Sequence, residues 1–176
     1  MVAAMGQWTR AELEAAFEHY QEQVRKATAT GDWSLFADLF TPDATYVEHA
    51  YGTFHGRDAI RDWAIETMTT PPGRWMTGFP PAWYVIDEER GRIVCDIRNL
   101  MPDTGDGRVH EASNITILGY AGDNLFDYEE DVYNPAKFAA MLESWGRAAG
   151  RNGALPEGAA EWLDAAVPRW RTAADN

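Results

Sequence analysis

The chain has 176 residues, which is enough for one hydrophobic core, and its 45% hydrophobic content is typical of a globular protein. A formal net charge of −13 disfavours phosphate backbones and anionic lipid surfaces, so we expect neither nucleic acid nor a membrane as a partner. The single cysteine, Cys95, excludes an intramolecular disulfide. No segment reaches the roughly 20 apolar residues of a membrane span, and no secretory signal pattern is present, so we expect a cytoplasmic protein.

The first half of the chain predicts helices with one strand between them. Thr9 and Glu12 have the spacing of a capping box, and apolar residues then recur every three or four positions, so a helix begins at Thr9. The other elements of this half are a short helix over residues 33–40, a strand over residues 44–51, a break at residues 52–56 and a helix from Asp58.

The second half changes to a strand-like pattern joined by turn sequences rich in Gly, Asp and Asn. The predicted strands are residues 75–87, 91–101, 109–120 and 125–133, which form an antiparallel meander. A last helix starts at Asn134 and runs to Trp145, and the Ala- and Gly-rich tail holds one short helix near Trp162. This order predicts an α+β fold in which a curved sheet closes over the first helix.

Two strings resemble the SnoaL-like group of the nuclear transport factor 2-like superfamily. The first is residues 30–52, T-G-D-W-S-L-F-A-D-L-F-T-P-D-A-T-Y-V-E-H-A-Y-G, continued by F-H-G-R-D-A-I-R-D-W. The second, Y-E-E-D-V-Y-N-P over residues 128–135, is similar to the closing strand of that family. Relatives include isomerases, dehydratases, cyclases, epoxide hydrolases and non-catalytic binding modules, so the resemblance specifies the fold better than the activity.

The resemblance implies a cystatin-like cone, also described as an α+β barrel. Three N-terminal helices would pack against a curved, mainly antiparallel sheet, with a pocket between them and a C-terminal helical extension. It also implies a homodimer through the outer face of the sheet. The expected division is a flexible N-terminus over residues 1–8, a SnoaL-like domain over residues 9–145 and an extension over residues 146–176.

His49 is the first candidate catalytic residue. V-E-H-A-Y-G is similar to a ketosteroid isomerase string in which an Asp removes a proton next to a carbonyl, and His49 stands at that position. An imidazole titrates near physiological pH and suits the same task. Strand alternation places Glu48, beside Tyr46, on the opposite face from His49, unless a bulge reverses it. The alternative is that His49 is a polar residue at a strand end, facing solvent or a dimer contact.

Asp96 and Glu130 are the other candidate catalytic groups. Asp96 and Arg98 share one face of their strand, and Glu130 lies with Tyr128 on an otherwise apolar face of the last strand. Limonene epoxide hydrolase has a related arrangement, an Arg bridging two carboxylates, although the order of Asp and Arg is reversed here. Two alternatives stay open. Asp131 replaces Glu130 if the last strand turns its other face inward, and the opposite face of the earlier strand carries Ile93, Cys95 and Ile97.

The remaining candidates are substrate-binding residues. Asn114 falls near the position where ketosteroid isomerase keeps an oxyanion-stabilising acid. Tyr20 stands one turn before the position of that enzyme's oxyanion tyrosine, and Phe79 stands where dehydratase-like relatives carry a His. With these we predict that the substrate contacts Tyr46, Trp63, Arg98 and Tyr128. No Cys/His cluster indicates a metal and no nucleotide motif is present, so we expect neither metal nor cofactor.

The sequence thus predicts a cofactor-independent enzyme that performs acid–base chemistry. The reaction would be isomerisation, cyclisation or dehydration of a hydrophobic oxygenated small molecule such as a polyketide, steroid or terpenoid. One alternative is an epoxide hydrolase that uses Asp96, Arg98 and Glu130. The other is a non-catalytic module for small-molecule binding or dimerisation.

Overall fold

A long first helix, α1, spans Arg10–Thr30 in the computed structural model, which describes residues 7–171. The Thr9 side chain accepts a hydrogen bond from the backbone N–H of Glu12 at 3.2 Å, so the predicted N-cap is confirmed. Gly31 ends the helix in the left-handed conformation that glycine adopts without strain. The predicted apolar stripe is the buried face of the helix, formed by Leu13, Ala16, Phe17, Tyr20, Val24 and Ala27.

The remaining elements follow the predicted order closely. They are α2 (Ser34–Ala37), β1 (Phe40–Glu48), β2 (Gly52–His55), α3 (Arg57–Thr69), β3 (Pro81–Asp87), β4 (Arg92–Leu100), β5 (Glu111–Gly122), β6 (Leu125–Val132), α4 (Pro135–Asn152) and α5 (Ala159–Ala166). Short 3₁₀ turns lie at Gly73–Trp75 and Pro168–Arg171.

The strands form one sheet in the order β2-β1-β6-β5-β4-β3. All neighbours are antiparallel except β1 and β6, which run parallel, so the predicted α+β fold with a mainly antiparallel sheet is confirmed. The predicted break at residues 52–56 is wrong, because those residues form β2 and pair with β1 as a hairpin. The third strand also starts later than predicted, since Gly73–Trp75 is a turn.

One face of the sheet is concave and packs on the helices. On β4 this face carries Ile93 and Cys95, both fully buried, and it continues onto Leu118 of β5. The main core joins these residues to Leu13 and Phe17 of α1. The inward face of β4 is therefore the one that carries Ile93 and Cys95, and not the one that carries Asp96. Burying the apolar side chains removes more apolar surface from water.

The C-terminal region is more helical than predicted. α4 runs beyond Trp145 to Asn152 and spans the expected boundary at residue 146. α5 and the last 3₁₀ turn pack back on it through a second apolar cluster that includes Trp145, Leu163 and Trp170. None of the helices between residues 7 and 171 combines the length and apolarity that a bilayer crossing requires.

The expected flexible segment at residues 1–8 falls mostly outside the described residues, which begin at Gln7. Trp8 is half-buried, and its ring packs edge-on against Tyr120 with centroids 5.0 Å apart. The polypeptide is therefore attached to the sheet from just before α1.

Candidate active site

A cavity of about 410 Å³ lies between the concave face of the sheet and the helices. This volume is within the range of roughly 300–1,000 Å³ typical of small-molecule sites. Of the predicted substrate-binding residues, the cavity is lined by Tyr20, Tyr46, Trp63, Phe79 and Asn114. α5 and the residue after it complete the wall with Trp162, Ala166 and Val167. The C-terminal extension is therefore part of the cavity.

A β-bulge in β6 decides which acidic side chains enter the cavity. Gly119 of β5 pairs with Tyr128, whereas the next residue, Tyr120, pairs with Phe126, so Asp127 is an extra residue on β6. An extra residue shifts the alternation of side chains by one position. Phe126 faces inward before the bulge, and after it Glu129 and Asp131 face inward while Tyr128 and Glu130 face outward. The uniform alternation predicted for this strand is therefore wrong.

Asp131 accepts hydrogen bonds from three neighbouring side chains. The Tyr46 hydroxyl donates to Oδ2 at 2.5 Å, while the Thr116 hydroxyl and the Asn114 amide donate to Oδ1 at 2.5 and 2.7 Å. Burial raises the pKa of Asp131, and the hydrogen bonds from Thr116, Tyr46 and Asn114 oppose that rise. Donors to a carboxylate favour its charged form. Of the two carboxyl groups on this face of β6, Asp131 is therefore the better stabilised as an anion.

Glu129 has the opposite environment. Its side chain is 1% exposed, and Oε1 accepts one hydrogen bond, from the Tyr20 hydroxyl at 2.9 Å. Oε2 is buried and has no hydrogen-bond partner in the described part of the chain. Burial, together with the nearby charge of Asp131, raises the pKa of Glu129 well above its usual range. These conditions favour the neutral carboxylic acid.

The two tyrosines that contact this pair remain hydrogen-bond donors. Burial and the neighbouring carboxylates raise the pKa values of Tyr20 and Tyr46 well above that of a free phenol. Asn99 orients Asn114, because its amide donates to Asn114 Oδ1 at 2.7 Å and leaves the Asn114 amide directed at Asp131. The carboxyl groups therefore lie in a fixed network rather than in a mobile cluster.

A third acid, Glu48, lies at the end of β1 on the same face as Tyr46. It is 5% exposed, and its Oε2 accepts hydrogen bonds from the backbone N–H groups of Ala50 and Tyr51 at 2.7 and 2.8 Å. Burial raises the pKa of Tyr133, and a hydrogen bond with Glu48 and its charge add to that rise. Sequence reasoning placed Glu48 opposite His49 without assigning it a role.

His49 lies outside the cavity, in a network near the surface. Its side chain is 46% exposed, and Nε2 lies 2.8 Å from Glu130 Oε1. Glu130 also accepts a hydrogen bond from the Tyr128 hydroxyl at 2.6 Å, and the Arg92 guanidinium lies 4.8 Å from the centre of the Tyr128 ring. The structure thus brings the predicted His49, Tyr128 and Glu130 together, but on the outer face of the sheet.

Asp96 and Arg98 also lie on the outer face of the sheet. Asp96 is opposite Ile115 on β5 in the strand register. Arg98 forms an ion pair with Glu111, in which Arg98 Nη1 and Glu111 Oε1 lie 3.4 Å apart. Neither residue lines the cavity or contacts Glu130, so the arrangement expected for an epoxide hydrolase is not assembled. Across residues 7–171 no group of three or more His, Cys, Asp or Glu side chains is placed to hold a metal ion.

The fold and the cavity define a cone-shaped α+β protein with an acidic pocket in an aromatic shell. Residues 9–94 match the model of the SnoaL-like domain, so the predicted resemblance to the SnoaL-like group of the nuclear transport factor 2-like superfamily is confirmed over those residues. That superfamily includes polyketide cyclases and isomerases. No curated protein sequence gives a significant match.

Solved structures share the fold at low sequence identity. A putative SnoaL-like polyketide cyclase from Jannaschia is 11% identical with a TM-score of 0.57, covering 77% of this chain and 96% of its own. A protein from Catenulispora acidiphila with a ketosteroid isomerase-like fold, in complex with trimethylamine, is 20% identical with a TM-score of 0.54. The match covers 76% of this chain and 93% of that protein. TerC, co-crystallised with polyporic acid, is 15% identical with a TM-score of 0.55. The match covers 76% of this chain and 99% of TerC.

Proposed function

We propose that the chain is a cofactor-independent enzyme that transfers protons on a hydrophobic oxygenated small molecule, by isomerisation, cyclisation or dehydration. The observation that carries this proposal is the pair Glu129 and Asp131, two carboxyl groups on one face of β6 inside a largely apolar cavity. Environments that drive two nearby carboxyl groups apart in pKa assign one as acid and the other as base.

Asp131 is the proposed base. Its charged form is stabilised by Tyr46, Thr116 and Asn114, and it lies in the cavity wall, where a bound carbon acid would reach it. It would take a proton from a carbon next to a carbonyl group; the electron pair of that C–H bond would form a C=C bond with the carbonyl carbon, and the π pair of the C=O bond would move onto the oxygen. In an isomerisation the same proton returns from Asp131 to another carbon of the substrate.

Glu129 is the proposed acid. As a neutral acid it would donate a hydrogen bond from the unpartnered Oε2 to the oxygen on which negative charge develops. Tyr20 keeps the other oxygen occupied and so directs the proton toward the cavity. Two structural relatives, a putative polyketide cyclase and a protein co-crystallised with polyporic acid, support an oxygenated carbon skeleton as the substrate class.

Hydrogen–deuterium exchange tests the proton-transfer step without a known substrate. Enolisable ketones such as 2-tetralone and 3-cyclohexen-1-one are incubated with the protein in D₂O, and loss of the signals next to the carbonyl is followed by proton NMR. We expect exchange above the buffer rate, with Asp131→Asn lowering it by about 100-fold or more. Glu129→Gln should lower it as well, because the amide cannot transfer a proton to oxygen.

Asp127→Asn is the matched control, because Asp127 is an exposed aspartate on the same strand. His49→Ala separates this proposal from the sequence-based one, in which His49 is the base. If Asp131→Asn exchanges as fast as the unchanged protein, Asp131 is not the base. If no ketone exchanges and added ligands are recovered unaltered, a non-catalytic binding module is the better description.

A further inference from the structure

The cavity contains acids but no basic side chain. Its described lining residues include Glu48, Glu129 and Asp131 and none is Lys, Arg or His. A buried carboxylate without a cation nearby is costly, because it loses hydration that nothing of opposite charge replaces. The cavity therefore has a negative potential, which favours a positively charged ligand.

Glu48 is the acid best placed to meet such a charge. Two backbone N–H groups, those of Ala50 and Tyr51, donate to its Oε2 and hold the carboxylate in position. It sits at the end of β1, in the cavity wall beside Tyr51 and Tyr133. Glu48 is thus a positioned carboxylate in the cavity wall, on the strand next to β6 and directly opposite Asp131 in the register of the sheet.

Aromatic rings line the same cavity as Glu48. The Tyr133 and Phe138 rings lie 4.8 Å apart, and the Tyr46 and Trp63 rings lie 4.6 Å apart. All four line the cavity, as does the exposed Tyr51. The face of an aromatic ring attracts an ammonium group, and the attraction is strongest where water is excluded. A carboxylate among such rings is suited to an alkylammonium ion.

Two further observations indicate a ligand of this kind. Glu129 is 1% exposed and lines the same cavity, and its Oε2 is buried without a hydrogen-bond partner in the described chain, so a polar group of a ligand is expected to meet it there. The formal net charge of −13 also attracts cations from solution and repels anionic metabolites.

We propose that the molecule on which the cavity acts carries a protonated or quaternary amine, which Glu48 and the rings of Tyr51 and Tyr133 recognise. This inference rests on the proposed function, in which Glu129 and Asp131 act on another part of the same molecule. The substrate class is then an apolar oxygenated compound with a basic nitrogen.

The experiment compares two probes of equal shape and different charge. Benzyltrimethylammonium and its uncharged carbon analogue neopentylbenzene are titrated into the protein at low salt. Binding is followed by the fluorescence of the tryptophans, three of which (Trp33, Trp63 and Trp162) line the cavity. We expect the ammonium probe to bind at least about tenfold more tightly than the neutral probe. Phenylacetate, an anion of similar size, should bind more weakly than both.

Glu48→Gln keeps the acceptor for the two backbone N–H groups and removes the charge. We expect it to lower affinity for the ammonium probe about tenfold and to leave neopentylbenzene binding unchanged. Glu66→Gln removes one charge from an exposed position of α3, and we expect it to alter neither affinity. Circular dichroism of each variant confirms that it is folded.

Equal or tighter binding of neopentylbenzene or phenylacetate overturns the inference, and so does the absence of binding by every probe. An equal loss of affinity for both probes in Glu48→Gln also overturns it, because Glu48 would then act by shape alone. Proton exchange is tested with variants of Asp131 and Glu129, so it can succeed while the ammonium preference fails. The two proposals therefore fail separately.

Discussion

Glu129 and Asp131 occupy neighbouring inward positions of one strand, yet their hydrogen-bond partners differ. Within residues 7–171, Asp131 accepts from three donors, whereas Glu129 accepts from Tyr20 alone and keeps one buried oxygen without a partner. The difference in partners favours a charged Asp131 and a neutral Glu129. Thr116 and Asn114 thus act on the chemistry through Asp131.

The raised pKa of Glu129 predicts a pH-dependent cost in stability. In the unfolded chain Glu129 loses its proton as the pH rises through about 4.5, while in the folded protein it keeps the proton to a higher pH. The free energy of unfolding therefore falls from about pH 4.5 upward until the raised native pKa is passed. We expect Glu129→Gln to remove this fall and to be more stable at pH 8 by about 1 kcal/mol or more.

Urea unfolding of both proteins at a series of pH values measures this effect. Below the usual pKa of glutamate the stability difference between Glu129→Gln and the unchanged protein should reach a constant value, because Glu129 is neutral in both the folded and the unfolded chain. The Tyr20 hydroxyl can still donate to the amide oxygen of Gln. A difference that stays constant across the whole pH range would show that Glu129 titrates normally in the folded protein.

At the scale of the elements, two local irregularities shape the cavity. The bulge at Asp127 turns Glu129 and Asp131 inward, and glycines in α4 let the C-terminal segment approach closely. A Cβ atom on Gly146 would lie 2.8 Å from Leu163 Cδ1 and 3.2 Å from the Trp170 ring. Gly146 therefore does not end the helix but lets α5 pack against α4, beside the part of the cavity wall that α5 provides.

Gly146→Leu tests this close packing. Leucine favours helix more than glycine does, so the local propensity of α4 would improve. We nevertheless expect a loss of about 2 kcal/mol or more, because the larger side chain must displace the fully buried Leu163. The midpoint of urea unfolding reports the change. Ala140→Leu at an exposed position of α4 serves as control, and equal stability of the two variants would contradict the packing argument.

On the scale of the whole molecule, the outer face of the sheet exposes several large apolar side chains. Trp83, Val85 and Val132 are 47%, 55% and 38% exposed, and half-buried Val94, Ile115 and Ile117 lie between them across the strands. Contiguous apolar surface of this kind is typical of protein interfaces. We therefore expect this face to form the homodimer contact that the family resemblance implies.

Val85→Asp introduces a charge on this face, on the edge strand β3. We expect the unchanged protein to sediment as a dimer and Val85→Asp to sediment as a monomer, because a buried carboxylate without a partner is unfavourable. Val109→Asp makes the same change at a residue that is 74% exposed and lies in the loop before β5, outside the strands, and it should remain dimeric. A monomeric unchanged protein at micromolar concentration would contradict the expectation.

The candidate site was only partly predictable from the sequence. Tyr20, Tyr46, Trp63, Phe79 and Asn114 were placed in the pocket by helix periodicity, strand alternation and the family resemblance, and the structure has them in the cavity wall. The acidic run Y-E-E-D marked β6 as the strand that carries carboxylates. Alternation could not choose between Glu130 and its neighbours, because one extra residue at Asp127 changes the face of every residue after it.

The sequence by itself determined the order of the elements, the inward stripe of α1 and the α+β class, because these follow from local periodicity and turn residues, while the cone was implied by the family resemblance. Only the tertiary structure decided which carboxyl groups face the cavity and that the Gly-rich tail continues α4 and closes the wall. Those outcomes depend on strand register and on contacts between segments far apart in the chain, such as Gly119 with Tyr128 and Gly146 with Leu163. The periodicity of one segment carries no information about where the distant segment that it contacts will lie.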